Sequence, residues 1–340
     1  MSIRLAILGC GGMAAEHVRR IKKRNESEND VEIVALCDVN PDALKEWRDK
    51  NIGEQATPAQ IFTDAATMYA EGKPDAVIIN TPHTLHFEHG KQALEAGLHV
   101  LMEKPMVTNS DDAKKLAEIA EQSGKVFSVG FNTSCMPEFQ WLRDTAQAGE
   151  NGGGEYGKLQ LITGWLSQNW KKNSVGKWRQ DPALSGGGEM YDSGAHLFNS
   201  LVFVVGQPIA EVHAFVDNSG TAVDINGSVN LRFANGVFAT VTIAGDCTEN
   251  GTNMNLFFER GRAEIDPCGW SNNPIKLWKN GQYVRYPKIE GEPVTPTQNF
   301  FEVIQGRDHV RATAQNGIVH SQIMDAIYES ARLGQAVKVQ

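Results

Sequence analysis

The sequence predicts an α/β chain in two parts: an N-terminal doubly wound parallel sheet, and a C-terminal α+β half built on a largely antiparallel open sheet. Three observations lead there. Up to about residue 132, short apolar runs alternate with amphipathic stretches, the pattern of strand-helix units. Beyond it come strands of alternating character, with the turn pairs Asn235-Gly236 and Asn280-Gly281 favouring hairpins. Finally, the glycine-rich turn Gly9-Cys10-Gly11-Gly12-Met13-Ala14 follows the first apolar run directly and opens a helix. At 340 residues the chain can bury a core in each half, so domains are expected at 1–132 and 133–340, with the active site in the cleft they form.

In chain order, apolar runs predict strands at 3–8, 31–37, 75–80, 99–102 and 125–131. Helices are expected at 13–23, 84–96 and 110–122. The last has Ser110 as its cap, Asp111 and Asp112 in its first turn and Gly124 after it. Right-handed crossovers join these units. A helix at 137–148 and a glycine-rich loop then precede strands at 158–167, 209–216, 224–233, 237–244, 253–259 and 275–278. Helices at 195–205 and 317–333 complete the second half. The run Lys22-Lys23-Arg24 reads as a solvent-facing helix end.

A formal net charge of -9 and a pI near 5.5 argue against nucleic acid, whose phosphates attract clustered Lys and Arg. A small uncharged partner fits better. The five cysteines, Cys10, Cys37, Cys135, Cys247 and Cys268, are scattered without metal-ligand or redox spacing, which suits a reducing cytoplasm. Residues 1–9 read as a first strand rather than a signal peptide, and nowhere do about 18 apolar residues run together as a spanning helix requires. No membrane partner is expected.

The fingerprint predicts a Rossmann domain. Gly9 permits the tight turn, Gly11 lets the backbone approach a pyrophosphate, and Ala14 stands at the third glycine position; with Gly12 and Met13 at the helix start, the N–H groups and dipole favour phosphate. Asp38 ends the second strand, where an acid binds the adenosine ribose hydroxyls and repels a 2'-phosphate. Its spacing exceeds the usual ~20 residues because of a loop insertion at 24–30. No Arg lies in Val39-Asn40-Pro41, so NAD is favoured over NADP. Asn80-Thr81-Pro82 and Glu103-Lys104-Pro105 fall at carboxyl ends of parallel strands and face the nicotinamide end; Lys104 is kept out of helical geometry by the following proline.

A second motif runs from Trp178-Arg179 through Ser185-Gly186-Gly187-Gly188 to Asp192 and His196. In a helix, Asp192 and His196 share a face, and a histidine is suited to take a hydroxyl proton near neutral pH. The glycine loop is expected to let the helix start approach a ligand. Trp165, Trp170 and Trp178 precede it and could offer apolar faces to sugar C–H groups, with core packing the alternative for each. Asn132 could contact nicotinamide or substrate, or form a structural turn. His83, His86 and His89 walk around a helix rather than sharing a face, so no metal site is expected; His83 and His89 read as solvated.

Taken together, Gly9 to Ala14, Asn80-Thr81-Pro82, His86, the run Ala96-Gly97-Leu98-His99-Val100 into Glu103-Lys104-Pro105, and Gly186-Gly187-Gly188 through Asp192 to His196 resemble the glucose-fructose oxidoreductase and inositol dehydrogenase family, Gfo/Idh/MocA. The resemblance covers nearly the whole chain. It implies an NAD(P)-linked oxidoreductase whose open-sheet domain mediates homodimers or homotetramers. Lys104, Asp192 and His196 match the family's catalytic residues, His86 a position near the cofactor, and Trp178-Arg179 a motif reaching cofactor or substrate. The expected activity is hydride transfer between NAD and a secondary alcohol of a sugar, cyclic polyol or glycoside. Two rivals share the scaffold: a glycosidase or lyase using bound NAD for transient oxidation, and a sugar- or NAD-sensing regulator. Retention of all three catalytic residues speaks against the sensor.

Overall fold

Six apolar runs become strands β1 (Ile3–Leu8), β2 (Val31–Cys37), β3 (Gln60–Phe62), β4 (Ala76–Ile79), β5 (His99–Met102) and β6 (Phe127–Val129) in a computed structural model that describes residues 2–53, 59–268, 275–284, 289 and 291–339. They form one parallel sheet in the order β3-β2-β1-β4-β5-β6. The crossover helices are α1 (Gly12–Asn25), α2 (Pro41–Asn51), α3 (Ala65–Gly72), α4 (His86–Glu95) and α5 (Ser110–Ser123). Of these, β3, α2 and α3 were not expected. Their signals were caps: Asn40 accepts from the Ala43 N–H with Pro41 in the first turn, and Asp64 accepts from the Thr67 N–H. The cap of α5 is likewise Asn109, accepting from Asp112 N–H at 2.8 Å, rather than Ser110.

The chain divides into two units, Met1–Gly130 with Val294–Ile318, and Phe131–Pro293 with Val319–Gln340. Residues 294–318, expected with the C-terminal half, therefore return to the first. The reason is apolar and ionic together. Helix Pro296–Ile304 buries Phe300 and Phe301 in the same core as Ile7, Val18 and Ile21. Its Glu302 accepts from Arg24, whose guanidinium also grips Asp30 at 2.6 and 2.7 Å. Arg24 is thus 8% exposed, not solvent-facing as expected, whereas Lys22 and Lys23 are exposed.

In the second unit come α6 (Pro137–Glu150) and β7 (Leu159–Ser167), then the short turns α7 (Trp170–Asn173), α8 (Pro182–Ser185) and α9 (Glu189–Asp192), and α10 (Gly194–Val205). Strands β8 (Ile209–Asp217), β9 (Asn226–Phe233), β10 (Phe238–Ala244), β11 (Gly251–Phe258), β12 (Gly261–Ile265), β13 (Lys276–Lys279) and β14 (Gln282–Val284) follow. Helix α11 is the Pro296–Ile304 segment of the first unit, α12 spans Ala314–Leu333, and β15 is Val337–Lys338. The nine-stranded sheet runs β14-β13-β12-β11-β7-β10-β9-β8-β15 and is antiparallel except where β7 meets β10. Asn280 and Gly281 both take positive φ, as a type I′ hairpin turn requires.

One face of this sheet is core. Ile162, Leu166, Val229 and Val241 pack there with Leu142 of α6 and Leu197 of α10. Gly164 permits the approach, because a Cβ there would lie 2.9 Å from Leu197. The opposite face carries Trp165, Phe215, Phe238 and Tyr283, whose alternation and register put them on one side, at 45%, 64%, 54% and 62% exposure. Among the described residues, no helix is long and apolar enough to cross a membrane.

Candidate active site

The first group of candidate residues lies at the carboxyl ends of β1, β2, β4 and β5. Gly9 has φ +83°, and a Cβ there would stand 2.8 Å from the Asn80–Thr81 backbone, so the turn needs glycine twice over. Gly11 and Gly12 behave differently: nothing lies within 4 Å of a Cβ at either. They leave an open backbone surface at the start of α1, whose N-cap Gly11 receives no side-chain cap. Met13 is exposed and Ala14 is fully buried against the first core. Asp38 Oδ2 accepts from the Cys10 N–H at 2.8 Å, which fixes the carboxylate beside the glycine turn. Asn80 Oδ1 is buried with no hydrogen-bond partner among the described residues. An open glycine surface, a fixed acid and a waiting acceptor fit a dinucleotide.

At the tip of β5, Glu103 is 8% exposed, and its side chain faces inward rather than to a cofactor surface as expected. Oε1 meets His17 Nε2 at 3.1 Å, His17 Nδ1 meets Thr297 Oγ1 at 2.9 Å, and Oε2 accepts from the Lys104 N–H at 3.2 Å. Burial pushes the carboxyl pKa up, but His17, the Lys104 ammonium and the Lys104 amide outweigh it and hold the group below its ordinary 4.5. A Cβ on Gly130 would come within 2.8 Å of Oε1, so the next strand end is glycine. Lys104 itself is half-buried, and the Lys104–Pro105 bond is cis.

His86 stitches the two neighbouring strand tips. Its Nδ1 lies 2.8 Å from the Pro105 carbonyl and its Nε2 2.8 Å from the Thr81 carbonyl. Burial draws its pKa below 6.5 against those two carbonyls. Thr81 Oγ1 meets His89 Nδ1 at 3.0 Å, Pro82 precedes the 3-10 turn His83–Leu85, and His83 is buried. His83 is therefore buried rather than solvated as expected, and His89 is half-buried on α4 against the Thr81 hydroxyl. Asn132, in the second unit, is half-buried and begins the 3-10 turn Thr133–Cys135.

The second group sits on α9 and α10. Ser193 keeps right-handed helical geometry between them, so Asp192 and His196 are one turn apart, 7% and 8% exposed. Asp192 Oδ2 accepts from Trp170 Nε1 at 2.9 Å and Arg179 Nε at 2.8 Å, while the Arg179 guanidinium lies 4.5 Å from the Trp178 ring centre. Asp224 organises the start of α9: Oδ1 accepts from the Gly188 N–H at 2.6 Å and the Tyr328 hydroxyl at 2.5 Å, and Oδ2 accepts from the Met190 N–H at 2.9 Å. Burial first, then Asp224, raises the Tyr328 pKa well above 10.

This changes the reading of the glycine loop. A Cβ on Gly187 would fall 2.3 Å from the Tyr328 oxygen, and one on Gly188 1.8 Å from the Asp224 carbonyl. Gly187 and Gly188 are small because the protein's own tyrosine and backbone fill the space a side chain would need. The tryptophans also part company: Trp165 projects from the open sheet face, Trp170 is buried on Asp192, and Trp178 carries Arg179. His17, Thr297, Asp224 and Tyr328 were missed because each acts through partners far away in sequence. Only His17 left a trace, a polar residue on the stripe Ala14, Val18 and Ile21 of α1.

The chain is matched by a family model described as an oxidoreductase family with an NAD-binding Rossmann fold over residues 3–131, and by the GFO/IDH/MocA C-terminal domain over 152–264. D-glucoside 3-dehydrogenase of Escherichia coli K12 is 25% identical, covering 99% of this chain and 97% of its own. Inositol 2-dehydrogenase of Corynebacterium glutamicum is 28% identical, covering 83% and 78%. Levoglucosan dehydrogenase solved with NADH shares the fold at a TM-score of 0.84 and 20% identity, with 100% of each chain covered.

The Glu103 network generates a pH-dependent prediction. A carboxyl with a depressed folded pKa contributes stability that is present above its unfolded value, near 4.5, and lost as pH falls through the folded value. Glu103→Gln should therefore cost about 1–3 kcal/mol at pH 7, with the gap to wild type closing below pH 4.5. Urea midpoints across pH 3–8 check this; a gap that widens in acid refutes it.

Proposed function

The chain belongs to the Gfo/Idh/MocA oxidoreductase family, whose N-terminal domain binds NAD, and from that premise we propose that it oxidises a secondary alcohol of a sugar, cyclic polyol or glycoside. The observation that carries the reading is the buried pair Asp192 and His196, one helical turn apart with the carboxylate held by Arg179, in a chain that also presents Lys104 beyond β5. Bound NAD supplies the hydride acceptor. His196 takes the proton of the substrate hydroxyl. The Lys104 ammonium stabilises the negative charge that grows on that oxygen, an interaction stronger in the transition state than in the bound alcohol. Asp192 balances the charge His196 acquires.

Gly9, Gly11, Gly12 and Met13 bind the pyrophosphate, Asp38 the adenosine ribose, and Asn80, Thr81, Pro82 and Asn132 the nicotinamide end. His86 and Glu103 support that surface from beneath. NAD is preferred to NADP because the Asp38 carboxylate, fixed by the Cys10 amide, meets a 2'-phosphate with like charge. A second copy of the chain covers the open sheet face, since four large exposed apolar side chains on one face form the kind of patch that marks an association surface. None of the five cysteines forms a disulfide, which suits the cytoplasm.

A panel of free sugars, inositols and glycosides assayed for NADH release tests the activity. Net NADH is the expected result, and NADH that stays bound and is recycled would point instead to transient oxidation. His196→Ala and Lys104→Met should each lower kcat by about 100- to 10,000-fold while NAD affinity and melting temperature hold. If Lys104→Met loses only NAD affinity, Lys104 is a cofactor anchor and the mechanism is wrong.

Cofactor titration should favour NAD in the wild type. Asp38→Ser combined with Val39→Arg should narrow or reverse the preference; equal wild-type affinities for both cofactors would rule the assignment out.

Sedimentation should give a dimer or tetramer, with Phe238→Glu together with Trp165→Glu shifting it to monomer. A monomeric wild type at micromolar concentration defeats the self-association reading.

A further inference from the structure

Asp192 is gripped at Oδ2. The indole of Trp170 and the Nε–H of Arg179 both donate to Oδ2, at 2.9 and 2.8 Å. Neither group can accept a hydrogen bond, so both bind the ionised carboxylate more strongly than the neutral acid, and together they fill the lone pairs of Oδ2. At 7% exposure the carboxylate has lost most of its hydration, and charge-assisted bonds are what keep such a group ionised.

The bracket is built by its own segment. The 170–180 loop returns on itself: Gln180 Nε2 donates to the Lys171 carbonyl at 2.6 Å and to Ser174 Oγ at 2.9 Å, and Ser174 Oγ donates to the Trp170 carbonyl at 2.6 Å. This brings Trp170 and Arg179 to one oxygen. The Trp178 ring, 4.5 Å from the guanidinium centre, holds the planar group by cation-π contact, a geometry that lysine cannot combine with an Nε–H bond. Charged or titratable groups close by in the chain include the buried Tyr191 directly before it, His196 one turn on, Glu189 one turn back, and Lys171, whose ammonium meets Asp246 at 2.9 Å.

We propose that Arg179 and Trp170 are positioning residues, which fix Asp192 as an anion in one orientation so that Oδ1 serves His196 and the reacting hydroxyl. This gives Arg179 a role on the catalytic acid in place of the expected cofactor contact. The proposal rests on the dehydrogenase reading for its catalytic consequence alone.

The test uses the full chain without substrate or cofactor. The Trp170 indole N–H resonance, identified by its disappearance in Trp170→Phe, is followed by 1H–15N spectroscopy against pH, since its chemical shift reports protonation of Asp192. Arg179→Met should raise the midpoint by about one pH unit or more, a tenfold change in proton affinity. Arg179→Lys should raise it less, and added guanidinium ion should reverse the Met shift. The acid limb of kcat/KM should move with it, kcat falling on the acid side by the same factor while KM for NAD stays constant. A midpoint unmoved in folded Arg179→Met, or no response to guanidinium, overturns the proposal whatever the activity. A moved and rescued midpoint in a protein that oxidises no panel substrate supports the bracket and overturns the dehydrogenase reading instead.

Discussion

The carboxylate of Asp224 determines where the helical segment bearing Asp192 and His196 begins. It takes the N–H groups of Gly188 and Met190 at the start of α9 and the hydroxyl of Tyr328 from α12, while its own carbonyl accepts from Glu189. It acts as an N-cap supplied from another part of the chain, 36 residues away from Gly188. The surroundings are shaped to it: Gly187 and Gly188 are small because Tyr328 and the Asp224 backbone occupy the space a side chain would need. A helix start defined this tightly lets side chains one turn apart hold a fixed separation.

The first unit uses the same device with different parts. Glu103 is a buried carboxylate directly before Lys104, tied to His17 on α1 and accepting the Lys104 amide. In both units an acid that is held out of water orients the backbone next to a residue with proposed chemistry. Burial makes each arrangement stiff, since a buried charge without its donors is costly. The division of labour is clear in the glycines as well: Gly9 and Gly188 make room for protein, whereas Gly11 and Gly12 leave room for something else.

What could be read from the sequence was local. The fingerprint, the alternating runs and the Asn-Gly turns each carry their geometry within a few residues, and the strands at Ile3–Leu8, Val31–Cys37 and His99–Met102 lie where periodicity put them. Three-residue β3 is too short for any period, and α2 and α3 announce themselves only through Asn40 and Asp64. Long-range partners leave no such trace. Arg24 looked like a solvated helix end because its ligand Glu302 lies 278 residues away, and His17 reaches Thr297 across 280. The tryptophans were near one another in sequence, yet strand alternation sent Trp165 to the face opposite the core.

The parallel junction in the larger sheet has a bearing on how that unit assembles. Strand β7 is central, and Leu161 pairs with Phe238 on one side and Phe257 on the other, so neither neighbour is reached by a short hairpin. Both contacts close long loops, which cost chain entropy before any ladder bond repays it. The loop closed by the β7–β10 pairing contains the whole stretch from Trp170 to Asp224, and with it Arg179, Asp192 and His196. Hairpins such as β9–β10 can form early and locally, but the acid and the histidine are tethered at both ends only when the middle of the sheet zips shut. Completion of the sheet therefore also fixes both ends of the segment that carries Asp192 and His196.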